Sequence, residues 1–188
     1  MQDYTYSIFS IVAIAIHLII NFDLLMGRGA ITVRGAHYRG FLIGILAYYI
    51  TDVAWGILAG LGWTGALYVE TIFFFLALVA FVFMWGWFVI SYLDLGKWPT
   101  RIVSWSGYAI LAFNLAALAI NPFNNGFFHI DDQGVYQTGC MRDLAFYLLI
   151  AQNVLIAFFV FEKALGSRDT VRRRGMMVFM CCISNPPV

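Results

Sequence analysis

Asp52 stands inside an apolar run, and a carboxylate in hydrocarbon costs about 2.5–3.5 kcal/mol even on a lenient insertion scale, so it needs a partner or a purpose. Tyr48, Asp52, Trp55 and Gly56 recur at three- and four-residue spacing, which places them on one face of a helix. That face sets a negative charge between two aromatic rings, chemistry suited to an amine, another hydrogen-bond donor or a flat apolar ring. Glu70 adds a carboxylate near the rim of the next apolar run. His17 with Asn21, Asn114, and the pair Gln152 and Asn153 lie within three further runs. Asp52, Asn114 and Gln152 fall in the outer or middle depth of their runs, so they meet in a cavity open to the outside if their helices turn them inward together. No arginine or lysine lies at that depth, which disfavours an anionic ligand. The same residues have a second use: a neutral histidine bonded to a neighbouring helix, and amides that hold membrane helices together at about 0.6 kcal/mol each. The sequence leaves both readings open.

Other chemistries find little support. There is no Gly-x-Ser-x-Gly, no His-Glu-x-x-His and no phosphate-binding loop, so the chain does not read as an enzyme. His17, His37 and His129 fall in the first apolar run, the first basic loop and the longest loop, so no metal site is expected from them. A retinal Schiff base needs a lysine within a helix, and Lys97 and Lys163 both lie at run ends. No cofactor is therefore expected. Cys140, Cys181 and Cys182 have no disulfide or metal-ligand spacing.

The elements that must position these residues are apolar. Hydrophobic residues make up 62% of the 188 and charged residues 11%, against about a quarter charged in soluble domains. A bilayer core of roughly 30 Å needs about 20 residues of helix. Runs of that length read as Tyr6–Met26, Gly40–Leu61, Leu67–Leu93, Ile102–Ile120 and Leu144–Phe161. A sixth, over 175–188, is too short to span and reads as an incomplete helix. Met1-Gln2-Asp3-Tyr4 lacks the basic start of a signal peptide, so the first run is kept as a helix. Pro122 is expected to end the fourth helix. Gly40 with Gly44, and Gly56 with Gly60, allow close helix approach. The expected fold is all-α: a single polytopic transmembrane bundle over residues 1–188, with five full spans and the unfinished sixth. An unfinished helix leaves apolar surface unpaired, so self-association into a homo-oligomer is expected too.

Charge sets the orientation. Arg28, Arg34 and Arg39, then Lys97 and Arg101, then Lys163, Arg168, Arg172, Arg173 and Arg174 fall in alternate connections, and Arg142 alone falls on the other side. Basic loops stay in the cytosol, so the N-terminus is expected outside. The net charge of +1 gives no reason to expect nucleic acid as a partner; the bilayer is the partner composition demands.

The longest non-cytosolic segment, 121–143, carries turn chemistry at Asp131-Asp132-Gln133-Gly134 between Phe127-Phe128-His129-Ile130 and Val135-Tyr136, the pattern of a small hairpin. Its aromatics, with Phe123, would lie over the outer mouth as a lid. "NPFNNGFFHIDDQGVYQTG" after the fourth run, an outside N-terminus and a basic "RDTVRRRG" before the sixth resemble the N-terminal seven-helix membrane sensor region found ahead of bacterial diguanylate cyclase (GGDEF) domains and related histidine kinases. The chain has neither the seventh helix nor the GGDEF signature. The resemblance implies a sensory domain in the bacterial inner membrane that binds a small ligand from outside and signals to a cytosolic output domain. A small transporter or channel would also suit Asp52 and the amides, and a membrane enzyme is the third alternative.

Overall fold

The computed structural model describes residues 5–27, 32–131 and 134–166. The sixth run, Cys181, Cys182, Arg28 and the arginines of 168–174 lie outside the described residues. Helices α1 (Thr5–Leu25), α2 (Val33–Leu61), α3 (Thr64–Leu93), α4 (Lys97–Asn124) and α5 (Cys140–Gly166) are each long and apolar enough to cross a membrane. Between α4 and α5 lie two short strands, β1 (Phe128–Ile130) and β2 (Tyr136–Thr138).

The helices outrun the hydrocarbon-length runs that announce them. Helix α2 starts at Val33, seven residues before the expected Gly40, capped by Thr32, whose hydroxyl oxygen accepts from the Gly35 N–H at 3.1 Å. His37 and Arg39 are therefore helical and not in a loop. The α2–α3 turn is a Schellman cap: Gly62 takes φ 69°, its N–H donates to Ala59 O, and the Trp63 N–H donates to Leu58 O. Pro122 does not end α4, which continues to Asn124. Pro122 has no N–H to donate to Leu118 O, so the ladder loses one bond there without the helix stopping. The Asn125 N–H then donates to Asn121 O at 2.9 Å, with Asn125 left-handed at φ 51°.

Helix α3 is the hub. It packs against α2 along most of its length, and against α4, α5 and β1 on its other side, whereas α1 packs chiefly on α2. Glycine permits the closest approach, since a Cβ on Gly44 would lie 3.0 Å from Phe81 Cα and Cβ. Val89, Leu93, Val103, Ile156 and Val160 fill the core at one end of the bundle; Phe75, Ala117, Leu118, Phe127, Phe128 and Ala145 fill it at the other. The outward faces are apolar as well, with Ile8, Phe9, Ile19, Val69, Ile150 and Val154 exposed, a surface suited to hydrocarbon. The first end, here the basic end, carries Arg39, Lys97, Arg101 and Lys163, whose ammonium donates to Asp94 O at 3.2 Å. The second is the hairpin end, where Gly134 meets Thr64 at the α2–α3 turn.

Candidate functional site

At the hairpin end one buried amide organises the chain reversal. Asn121, fully buried in the last turns of α4, accepts from the N–H groups of Phe127 (2.8 Å) and Phe128 (3.1 Å) through Oδ1. Its Nδ2 donates to Phe128 O (2.9 Å) and to the Tyr68 hydroxyl of α3 (3.2 Å). With four partners the side chain satisfies the backbone of a segment that would otherwise enter the core with unpaired groups. β1 and β2 then pair antiparallel, with His129 opposite Gln137. Phe127 and Phe128 have no exposed surface: Phe75 meets the Phe127 ring edge-on at 4.9 Å between centroids, and Tyr68 tilts against Phe128 at 5.0 Å. These two rings plug the bundle from within, between α3, α4 and α5. Phe123, expected to join them, is 89% exposed and stays outside.

The plug reaches the predicted residues through Trp55. Tyr136 of β2 stacks on Phe128 at 5.9 Å and meets the Trp55 ring edge-on at 6.2 Å. The Trp55 indole N–H donates to Thr71 Oγ1 at 3.1 Å, and the Thr71 hydroxyl donates to Leu67 O at 2.7 Å. One indole thus bridges α2, α3 and the hairpin. Burial pushes the Tyr136 phenol above its ordinary value, with Arg142 beside it opposing the shift. Arg142 itself pairs with Asp143 at 2.6 Å and lies over the Phe146 ring, a partly exposed arrangement worth little on its own.

Asp52 lies almost one turn before Trp55 and is half-buried; its carboxylate accepts from the Ser10 hydroxyl of α1 at 2.5 Å. Tyr48, a turn further along, packs its ring against Phe74 and Phe81 of α3. Glu70 is half-buried in the first turns of α3, and one carboxylate oxygen is buried without a hydrogen-bond partner. His17, 9% exposed, donates from Nε2 to Leu42 O at 3.1 Å, tying α1 to α2, and Asn21 caps the same turn by donating to His17 O.

The remaining candidates lie across α3 from this group. Asn114 donates to Ile110 O in its own helix and leaves a buried Oδ1 unpaired. Gln152, 4% exposed, donates to Val103 O at 3.2 Å, which ties α5 to α4 toward the basic end. Its Oε1 is unpaired too, and the side chain lines a cavity of about 10 Å³ with Gly86, Ser104 and Gly107, room for about one water. Asn153 donates to Leu149 O within α5. The residues therefore divide: Tyr48, Asp52 and Trp55 form one group with α1 and α3, while Asn114 and Gln152 belong to the α4–α5 side. Among the described residues no group of histidine, cysteine and carboxylate side chains is placed to hold a metal.

Asn121, Tyr68 and Thr71 are the site residues that sequence reading misses. An asparagine next to a helix-final proline reads as a stop signal, and only the fold turns it into the anchor of the next segment. At the basic end His37 bonds through Nδ1 to the Ser91 hydroxyl, which donates to Trp87 O at 2.9 Å, beside a groove of about 310 Å³ between α2 and α3. No family model, curated protein or solved structure matches the chain. Its class therefore rests on its own architecture: the described residues form an all-α bundle of five helices, compatible with a multi-pass membrane protein.

Proposed function

We propose that the chain is a sensory domain of a bacterial inner membrane, with the N-terminus and hairpin outside the cytosol. In this reading a small cationic or aromatic ligand binds at the hairpin end, and the basic end delivers the signal to a cytosolic output domain. The observation that carries it is the pair of connections made by one helix face: Trp55 joins α2 to α3 and to the hairpin plug, and Asp52 joins α2 to α1 through Ser10. An ammonium group that takes over the Asp52 carboxylate releases Ser10, and an aromatic ring beside Trp55 or Tyr48 displaces Tyr136. Either event changes how α1 or the plug sits against α2 and α3, helices that continue to the basic end. Binding thus biases the packing of elements that traverse the bundle, which is what a transmembrane receptor requires. The resemblance of the 121–139 segment and of the charge pattern to diguanylate cyclase and kinase sensor regions supports the same reading.

The test uses phenethylamine and tryptamine as probes, with benzoate as the anionic control, read by thermal unfolding of the purified protein in detergent. Both amines should raise Tm and benzoate should not. Asp52→Asn keeps the size, can still accept from Ser10, and should weaken amine binding by more than tenfold, about 1.4 kcal/mol, while leaving the unliganded Tm within a few degrees. Equal stabilisation of wild type and Asp52→Asn, or stabilisation by benzoate, refutes the site.

A further inference from the structure

The first turns of α4 at the basic end carry a feature that the sensory reading does not use. Lys97, Trp98, Thr100, Arg101, Ser104 and Trp105 line an open groove of about 540 Å³. Lys97, Arg101 and Trp105 follow one another at four-residue spacing and share a helix face, with Trp98 and Ser104 flanking it. Both cations are exposed, and no acidic residue lines the groove. Among the described residues neither cation closes a salt bridge. The Thr100 hydroxyl is committed to Leu95 O at 3.1 Å, whereas Ser104 Oγ is buried at the groove wall without a partner. Trp98 and Trp105 are 75% and 69% exposed, an extent at odds with packing as their role. Exposed Ile102 lies between Arg101 and Trp105, and beyond Trp105 toward the centre of α4 the exposed side chains are Tyr108 and Leu115.

We propose that this groove is a binding site for the phosphate headgroup of an anionic glycerophospholipid. Its order along the helix matches the order of groups in such a lipid. Lys97 and Arg101 meet the phosphate with Trp98 beside them at the surface, Trp105 a turn further along reaches the level of the glycerol and ester groups, and the exposed side chains beyond it continue along the acyl chains. Lysine acts as a point charge and arginine as a two-pronged donor, so together they hold one phosphate without needing a second protein element. Charge complementarity selects an anionic headgroup over a zwitterionic one, because the choline of phosphatidylcholine would bring a third positive charge beside Lys97 and Arg101. A free phosphate shares the chemistry of the charged part but has nothing to place against Trp98, Trp105 and Ile102, so the occupant is the lipid. The site is independent of the Asp52 group, which lies toward the other end of the bundle.

Native mass spectrometry of the whole chain, released from micelles with phosphatidylglycerol and phosphatidylcholine of matched acyl chains, reads this directly. Wild-type protein should retain phosphatidylglycerol about tenfold to thirtyfold better than phosphatidylcholine, the preference expected from two interfacial cations. Lys97→Gln combined with Arg101→Gln should bring the ratio close to one, and each single substitution should lower it by about fivefold. Lys97→Arg should keep the preference, and Arg142→Gln, at the opposite end, should leave it unchanged. Helical content by circular dichroism checks that the variants are folded; if the double variant is not, the single variants decide. An equal ratio for wild type and the folded single variants overturns the proposal. Displacement of the lipid by millimolar inorganic phosphate or glycerol 3-phosphate overturns it in favour of a soluble anion.

Discussion

Replacing Asn121 by alanine removes four hydrogen bonds at once, two accepted from the Phe127 and Phe128 N–H groups and two donated to Phe128 O and the Tyr68 hydroxyl. Three of the partners are backbone groups, which cannot be substituted away and which lie where water is scarce, since Phe127 and Phe128 have no exposed surface. At about 1 kcal/mol net for each backbone partner, Asn121→Ala should weaken the seating of the plug by about 3 kcal/mol. That corresponds to roughly a hundredfold increase in the opening equilibrium of the segment. Hydrogen exchange in micelles measures this locally: the Phe127 and Phe128 amides should lose about a hundredfold of protection, while amides of α1, which packs chiefly on α2, keep theirs. Tyr68→Phe removes only the last of the four bonds and should cost the same amides roughly fivefold. A loss of less than threefold in Asn121→Ala would show that the hairpin is held by its aromatic packing alone. A loss shared equally by α1 would show global destabilisation and equally defeat the reasoning.

Gly44→Ala drives a methyl group to within 3.0 Å of Phe81 backbone and Cβ atoms, so α2 and α3 must separate; the expected cost of about 1–3 kcal/mol should appear as a lowered Tm, with Gly65→Ala, whose new Cβ meets nothing within 4 Å, as the unchanged control. Cys140, exposed at the start of α5, should react with a membrane-impermeant maleimide added to intact cells once Cys181 and Cys182 are replaced by serine, and a cysteine put in place of Leu165 in a Cys140→Ser background should not. The reverse pattern would invert the proposed orientation.

Much of the helix inventory is legible in the sequence because hydrocarbon demands long apolar runs, and Tyr6–Met26 and Leu67–Leu93 each fall within a few residues of α1 and α3. The ends are less legible where polarity and backbone part company. Around His37, Tyr38 and Arg39 the side chains turn polar before the hydrogen-bond ladder stops, so α2 reaches back to Val33; at Pro122 the ladder loses one bond, yet the Asn125 N–H closes on Asn121 O and α4 runs on to Asn124. The shared face of Tyr48, Asp52 and Trp55 follows from spacing alone. Their partners do not: Ser10, Thr71 and Tyr136 reach them through tertiary packing, and no local pattern marks a serine at the start of one helix as the donor to a carboxylate in the next. The two phenylalanines of the plug show the same limit, since the composition of 127–130 suits a surface hairpin as well as one whose first residues are driven between helices.

The position of α3 at the hub also fixes an order of assembly. Helices α2 and α3 are joined by the Gly62–Trp63 turn and can pair as soon as both have left the insertion machinery, with α1 joining chiefly through contacts to α2. The opposite flank of α3 stays open until α4 and α5 arrive. The site of Phe127 and Phe128 is not complete before then, because the Met141 N–H that donates to Gly126 O, and Ala145 beside the plug, belong to α5. Until α5 is in place the two phenylalanines lack one wall of their site, and apolar surface left open at that stage invites misassociation. The packing of the plug is thus complete only with α5 in place, and variants that loosen it should lower the yield of inserted protein before they lower the stability of what has folded.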